Sequence, residues 1–296
     1  MSRVIAVIVN WNGREETLAC LASLAASRRP PDQTIVVDNG SADGSVAAIK
    51  GAFPAVDVLA LPRNHNFAGG ANRGLRRALA LGADYVWLLN NDVTVAEDAL
   101  QQLLAAAEGA NAGIAGPRVR TPPADDELGA WWDFERGRIV PAYAGRQAQA
   151  QGIVDVDYVW GCAMLLRSDL LRRVGLLDER YVAYFEDADL CRRAQVAGYR
   201  VVATTEALVW HAGSHSADRR PLWQTWRRAV GRLRFYWTHA GRRQRPGLVA
   251  WTVCREWPLL LAGMVGRFGV RTRARTGART RGRVSTDASN PNGGKG

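Results

Sequence analysis

Four short runs rich in β-branched residues, Val4–Val9, Thr34–Val37, Val56–Leu61 and Tyr85–Leu89, are separated by stretches with helical spacing and composition. The helical stretches are Glu15–Ala26, Ser45–Gly51 and Ala68–Leu81, and Ala96–Glu108 follows the fourth run. Strands alternating with helices of this length cannot close as hairpins. They predict an α/β fold with a mostly parallel central sheet flanked by helices. A chain of 296 residues has room for one large domain of this kind or two small ones.

Beyond residue 118 the pattern loosens. Residues 118–156 are irregular and carry the pair Trp131-Trp132. An apolar run, Tyr158–Leu166, restarts the ordered part. Ser168-Asp169 can cap a helix over Leu170–Val174, which Gly175 would end. Asp187–Ala197 reads as a further helix closed by Gly198, and Arg200–Ala203 as a strand.

The formal charge of +11 is unevenly placed. From residue 217 onward 17 Arg and one Lys face three acids, a net of +15, whereas residues 1–216 hold 21 bases and 25 acids, a net of −4. The split predicts a catalytic domain over 1–216, a basic, Trp-rich amphipathic helical extension over 217–270, and an Arg-rich disordered tail over 271–296. The Val4–Val9 run is too short for a signal peptide, and no stretch reaches the roughly 18 apolar residues of a spanning helix. Cys20, Cys162, Cys191 and Cys254 lie far apart, without the spacing of a zinc site. They predict reduced thiols in a cytoplasmic protein.

The chemistry is concentrated where strands end. Tyr85-Val86-Trp87-Leu88-Leu89 is an uncharged run that leaves the sheet through Asn90-Asn91-Asp92. In open α/β sheets ligands bind beyond the carboxyl ends of the strands. A carboxylate there suits a hard divalent cation, although Asn-Asn-Asp is also good turn and cap chemistry. The first run exits into Asn10-Trp11-Asn12-Gly13 and the second into Asp38-Asn39-Gly40-Ser41. Asp38 is placed to accept hydrogen bonds from a nucleoside, or to make a tight turn. Asn64 to Gly74, with Asn66, Gly70 and Asn72, opens a helix with glycines and amides. Such a loop lets backbone N–H groups approach a phosphate, or lets the helix pack closely on the sheet.

Three acids, Glu186, Asp187 and Asp189, open the helix after Phe185. Acids at a helix start are favoured by its dipole. One of them facing the crevice would serve as a general base, tuned by its like-charged neighbours. His211, after the apolar Leu208–Trp210, could add a nitrogen ligand to a metal held by Asp92.

In their order along the chain these segments resemble the family 2 glycosyltransferases, and among them the bacterial rhamnosyltransferase-like and galactofuranosyltransferase-like enzymes. The resemblance is carried by Val7–Gly13, Val36–Ser41, Asn64–Gly74, Leu88–Asp92 and Phe185–Leu190 and covers about residues 3–240. It implies a GT-A fold, a nucleotide-diphospho-sugar donor, a divalent cation (Mg²⁺ or Mn²⁺) and inversion at the anomeric carbon. It also implies site roles. Asp187, with Glu186 beside it, would be catalytic. Asn10, Asn12, Asp38, Asn39, Ser41, Asn66, Gly70, Asn72, Asn90 and Asn91 would line the donor site, and Asp92 and His211 would hold the metal. Trp131, Trp132, Trp160 and Gly161 would lie toward a glycan or lipid-linked acceptor, the aromatic pair being equally suited to anchor its loop. The family's metal motif has an acid at its first position, where this chain has the neutral Asn90. Gln224-Thr225-Trp226-Arg227-Arg228 departs from the QxxRW motif of processive synthases at Arg228, which points to single additions.

A polybasic, Trp-rich segment after residue 217 predicts a peripheral protein on an anionic membrane surface; the resemblance implies the inner face of the cell membrane and cell-envelope polysaccharide synthesis. Two other classes compete. A sugar nucleotidyltransferase would share the fold but release pyrophosphate. A nucleic-acid-binding protein would explain the tail, but the acidic main part argues against nucleic acid as the principal substrate. A dinucleotide-dependent oxidoreductase should carry GxGxxG after the first strand, where this chain has Asn-Trp-Asn-Gly.

Overall fold

β1 (Val4–Asn10) is buried along its whole length. Its alternate side chains point to opposite faces, so both faces must be covered by other elements. Ile5, Val7 and Val9 enter one apolar cluster, and Val4, Ala6 and Ile8 enter another. In the computed structural model, which describes residues 1–121, 126–135, 138–143, 152–213, 221–250 and 253–254, these clusters lie on the two sides of one sheet. Helices α1 (Arg14–Ala25), α2 (Ser45–Ala52) and α4 (Ala99–Gly109) cover one side. Helices α3 (Asn66–Ala80), α5 (Ser168–Val174) and α6 (Glu186–Val196) cover the other.

The remaining strands are β2 (Gln33–Asp38), β3 (Asp57–Ala60), β4 (Tyr85–Asn90), β5 (Val93–Val95), β6 (Ala112–Arg120), β7 (Glu127–Asp133), β8 (Arg138–Tyr143), β9 (Ile153–Asp155), β10 (Ala163–Arg167) and β11 (Arg200–His211). Their order is β3-β2-β1-β4-β10-β6-β11-β5, with β7, β8 and β9 attached at its side. The parallel expectation holds for β3-β2-β1-β4. Beyond β4 the sheet is mixed, because β10 runs antiparallel to both β4 and β6, while β6 and β11 are parallel to each other. The sequence segments Arg200–Ala203 and Leu208–His211 form one strand with a register shift between Ala203 and Leu208.

α3 sits directly on the parallel half. A Cβ on Gly74 would fall 2.4 Å from Val7 Cγ1 and 2.9 Å from Val37 Cγ2, so glycine sets the approach of this helix to β1 and β2. Asn72, buried in the same helix, donates to Leu177 O and Glu179 Oε1 and accepts from Leu177 N. It ties α3 to the turn after α5.

The helix α7 (Pro221–His239) has two characters. Phe235 and Tyr236 are fully buried in the cluster that also holds α3, α5 and α6. The helix expected as an extension of the catalytic part therefore shares its core. Trp223, Trp226 and Trp237, on its other side, are exposed. The charge boundary near Ser216, residues 122–125, most of the Gly247–Val265 segment and the tail 271–296 lie outside the described residues.

Candidate active site

The parallel register places Asn10 beside Asp38 and Val9 beside Asn90, so three polar strand ends meet at one edge. Asn10 is fully buried and organises them. Its amide nitrogen donates to Asp38 Oδ1 (2.8 Å) and Ser41 Oγ (3.2 Å). Its oxygen accepts from Gly13 N, Thr17 Oγ1 and Asn91 Nδ2. Asp38 also accepts from Ser41 N, and the Asn12 backbone N–H donates to Ser41 Oγ while its side chain accepts from Ala42 N. The exits of β1 and β2 are thus stitched into one wall.

Several residues expected to touch a donor are occupied within this wall. Asn91 donates to Asn10, Gly13 O and Thr17, and a Cβ on Gly13 would fall 2.2 Å from the Asn91 amide. Asn39 bonds Asn64, the Asn66 carbonyl and the His65 N–H, and holds the turn in which Asn66 takes φ 61. Gly70 lets α3 pass 3.0 Å from the Asn39 amide, measured from an added Cβ. Asn72 is engaged with the turn at 177–179. Asn90, by contrast, makes no side-chain hydrogen bond among the described residues and, like Asp92, is partly exposed.

Asp92 follows β4, and the next strand, β5, pairs antiparallel with β11 so that Val93 lies opposite His211. This register brings two residues far apart in sequence together: His211 Nε2 lies 3.3 Å from Asp92 Oδ1. Both side chains are largely buried, yet His211 Nε2 has no hydrogen-bond partner. The thiols of Cys20 and Cys162 lie nearby. Burial, reinforced by the Asp92 charge, pushes Cys20 up to about 12 and Cys162 well above its usual range, so both stay protonated.

The acids of α6 approach from the other side of the sheet's edge. Because β10 is antiparallel to β4, the loop before it, Trp160-Gly161-Cys162, lies at the carboxyl end of β4, and Asn90 N donates to Cys162 O. Gly161 N donates to Asp187 Oδ2 (2.9 Å) and Ala188 N to Asp187 Oδ1 (2.8 Å). A Cβ on Gly161 would lie 2.8 Å from Asp187 Oδ2; glycine is required for this approach. Glu186 is buried with Oε2 unpartnered. Burial raises the pKa of both carboxyls, and the Asp187 charge raises Glu186 further; the two N–H bonds moderate the rise at Asp187.

Trp160 is half-buried and meets the Tyr158 ring edge-on at 5.0 Å. Trp132 stacks on Tyr158 (4.7 Å) and packs on Phe235 (4.5 Å), while Trp131 donates to Asp155 O. Trp132 therefore anchors its strand to the core, and Trp160 adjoins Gly161, whose N–H bonds Asp187.

Residues 5–174 match the model of glycosyl transferase family 2. The chain belongs to this family. It is a glycosyltransferase with a GT-A fold. It is 29% identical over 227 residues to the N-acetylglucosaminyl-diphospho-decaprenol L-rhamnosyltransferase of Mycobacterium tuberculosis, covering 68% of this chain and 73% of that protein. It is 31% identical over 217 residues to galactofuranosyltransferase GlfT1 of the same species, covering 70% and 69%. In fold it is similar to S. aureus TarS 1-349 in complex with UDP-GlcNAc, with a TM-score of 0.58 at 13% identity over 85% of this chain and 71% of that one. GalNAc-T7 with UDP, GalNAc and Mn2+ superposes with a TM-score of 0.60 at 15% identity over 72% of this chain and 44% of that one. Family membership sets aside the oxidoreductase, nucleotidyltransferase and nucleic-acid readings.

The residues present fit a divalent cation of this family. A carboxylate oxygen and an unpartnered imidazole nitrogen 3.3 Å apart are spaced as neighbouring ligands of one ion with bonds of about 2.0–2.2 Å. Two protein ligands would leave the remaining coordination to other oxygen donors, as Mg²⁺ prefers. Among the described residues no third His, Cys, Asp or Glu joins them. Sequence reasoning missed Thr17, which with Gly13 holds Asn91 in place, and it did not tell Asp189, which bonds Arg193 and His239, from the acid that faces Gly161. Only contacts across the fold identify them.

Raised carboxyl pKa values make a stability prediction with a definite sign. The protonated forms suit the buried site, so their stabilisation is full below the unfolded carboxyl value of about 4.3 and is lost as pH rises through the raised folded value. Glu186→Gln removes the buried charge that appears there. Calorimetry should show a higher melting temperature for Glu186→Gln than for the native protein at pH 8 and almost none of that gain at pH 4. An equal difference at both would contradict the buried, raised carboxyl.

Proposed function

We propose that the protein is an inverting, metal-dependent transferase that moves a sugar, rhamnose-like in class, from a nucleotide-diphospho-sugar to a hydroxyl of a lipid-linked glycan in cell-envelope polysaccharide synthesis. The observation that carries the reading is the unpartnered His211 nitrogen facing Asp92 at the meeting of the strand ends. The similarity to a rhamnosyltransferase named for a diphospho-decaprenol-linked acceptor supports the sugar and acceptor class, and the structures of TarS with UDP-GlcNAc and GalNAc-T7 with UDP support the donor class.

In this reading Asp38, Asn12 and Ser41 bound the nucleoside side of the crevice, and Asn90 offers a neutral amide to a ribose or sugar hydroxyl. Asp92 and His211 would hold the cation, which when bound would supply positive charge against the negative charge developing on the departing diphosphate. Asp187 accepts the proton of the attacking hydroxyl. Its raised pKa makes it a stronger base than an exposed aspartate, and Gly161 and Ala188 fix its two oxygens. One displacement at C1 inverts the configuration, so no second carboxylate nucleophile is needed, unlike a retaining hydrolase. Asp187→Asn should reduce nucleoside diphosphate release from a panel of UDP- and dTDP-linked sugars by about 10² to 10⁴-fold while donor binding by calorimetry persists. Turnover near the native rate in a folded Asp187→Asn protein would sink the assignment.

Peripheral association with the inner face of the membrane follows from α7. Trp223, Trp226 and Trp237 are 39%, 47% and 63% exposed and fall on one side of the helix at 100° per residue. Arg227 stacks over Trp223 and Arg245 over Trp237. Aromatic rings flanked by guanidinium groups suit an anionic interface, each basic residue adding about 1 kcal/mol near the surface. No helix among the described residues is long and apolar enough to cross a membrane. The full chain should float with phosphatidylglycerol vesicles in a salt-sensitive way, and less so with all three tryptophans changed to Ala. Equal recovery with uncharged phosphatidylcholine vesicles, or none with either, would count against the surface.

A further inference from the structure

α6 opens with acids that face opposite ways. Asp187 and Asp189 are two positions apart, about 200° around a helix. Asp187 points to Gly161 at the crevice. Asp189 is 3% exposed, and its two oxygens are held by different partners. Arg193 Nε donates to Oδ2 at 2.7 Å, and the same guanidinium donates to the carbonyls of Val174 and Leu176, each at 2.8 Å, where α5 ends. His239 Nε2, from the last residue of α7, lies 2.7 Å from Oδ1. A carboxylate can only accept, so the ring nitrogen donates. One buried carboxylate therefore joins α5, α6 and α7.

A second contact lies just ahead of the base. Tyr184 and Phe185 take φ 67 and 74, two consecutive bulky residues in the left-handed region. Such backbone persists only where its surroundings hold it, and it clusters at functional sites. Here α7 supplies the hold. A Cβ on Gly231 would lie 2.9 Å from Tyr184 O and 3.1 Å from Phe185 Cδ2. Arg228 stacks over Tyr184 at 4.7 Å, and Phe235 meets both Phe185 (5.8 Å) and the His239 ring (4.9 Å).

We propose that His239 is a positioning residue for the transfer reaction: through Asp189 it fixes the rotation and depth of α6, and with them the placement of Asp187 against the acceptor hydroxyl. This rests on the reading of Asp187 as the base. His239 touches no reacting atom. Its effect is on the rate of the bound complex and not on donor affinity, because the donor wall is built from β1, β2 and β4 on their own hydrogen bonds. A misplacement of about 1 Å can cost roughly 10²-fold in rate.

The test measures kcat and donor KM of the full chain with whichever sugar of the UDP- and dTDP-linked panel turns over. His239→Ala should lower kcat by about 10- to 100-fold with donor KM within about twofold. His239→Gln, whose amide N–H can reach Asp189, should recover most of the loss. Ile49→Val, in the opposite core cluster, serves as the control for lowered stability and should leave kcat unchanged. Asp187→Asn is measured alongside. If it is inactive while folded His239→Ala keeps native kcat, the base stands and the positioning role falls. A folded Asp187→Asn with native turnover removes the base reading, and the proposal with it. The proposal also falls if His239→Gln is as slow as His239→Ala, or if Ile49→Val loses as much kcat.

Discussion

β10 enters the sheet antiparallel to β4, with Ala163 beside Leu89, and that reversal decides what reaches the crevice. A parallel strand would have brought its carboxyl end there, followed by a helix. The antiparallel strand brings its beginning, so Trp160 and Gly161 arrive at the end of β4, where the Gly161 N–H bonds Asp187 and glycine puts no side chain in the way. β6 is antiparallel to β10 and so runs with β4, and β11 runs with β6. The far end of β11 therefore returns to the same edge, where its pairing with β5 sets His211 against Asp92. Asp92 from the β4 side, His211 from the β11 side and Asp187 through Gly161 are thus brought to one edge by one strand insertion.

This arrangement concentrates negative charge at one edge, and the fold offsets it locally. Asp187 is held by two N–H groups at the start of α6, where the helix dipole also favours an anion. Asp38 is held by Asn10 and Ser41 N. Glu186 has no such partner for Oε2, and burial favours its neutral form. The balance favours the anion more at Asp187 than at Glu186, the kind of division that neighbouring acids adopt when their surroundings differ.

Much of this was legible in the sequence. β1, β2 and β4 are apolar on both faces because helices cover both, and an uncharged run ending abruptly in amides and acids is visible without coordinates. The partners of those amides were not. Asn10, Asn72, Asn90 and Asn91 look alike in the chain, yet only Asn90 is left open, since the others bond groups 28, 105 and 81 residues away. β11 read as two pieces because Thr204-Thr205-Glu206 interrupts its apolar pattern at the register shift. α7 read as an interfacial segment because tryptophans and arginines dominate it. Phe235, Tyr236 and His239 on its inner side carry the contacts to α6 and the loop before it; helical spacing sets them opposite the outer aromatics, but with aromatic residues on both faces it does not say which face is buried.

The account stands or falls on the Asp92–His211 pair as half of a metal–diphosphate site. Mn²⁺ binding to the full-length protein, followed by electron paramagnetic resonance with and without UDP or dTDP, tests it most directly. The nucleoside diphosphate should tighten Mn²⁺ binding, because its oxygens complete the coordination that two side chains leave open. Asp92→Ala and His211→Ala should each weaken the ternary complex by about tenfold or more. Mn²⁺ affinity that is indifferent to the nucleotide and to both substitutions would contradict it.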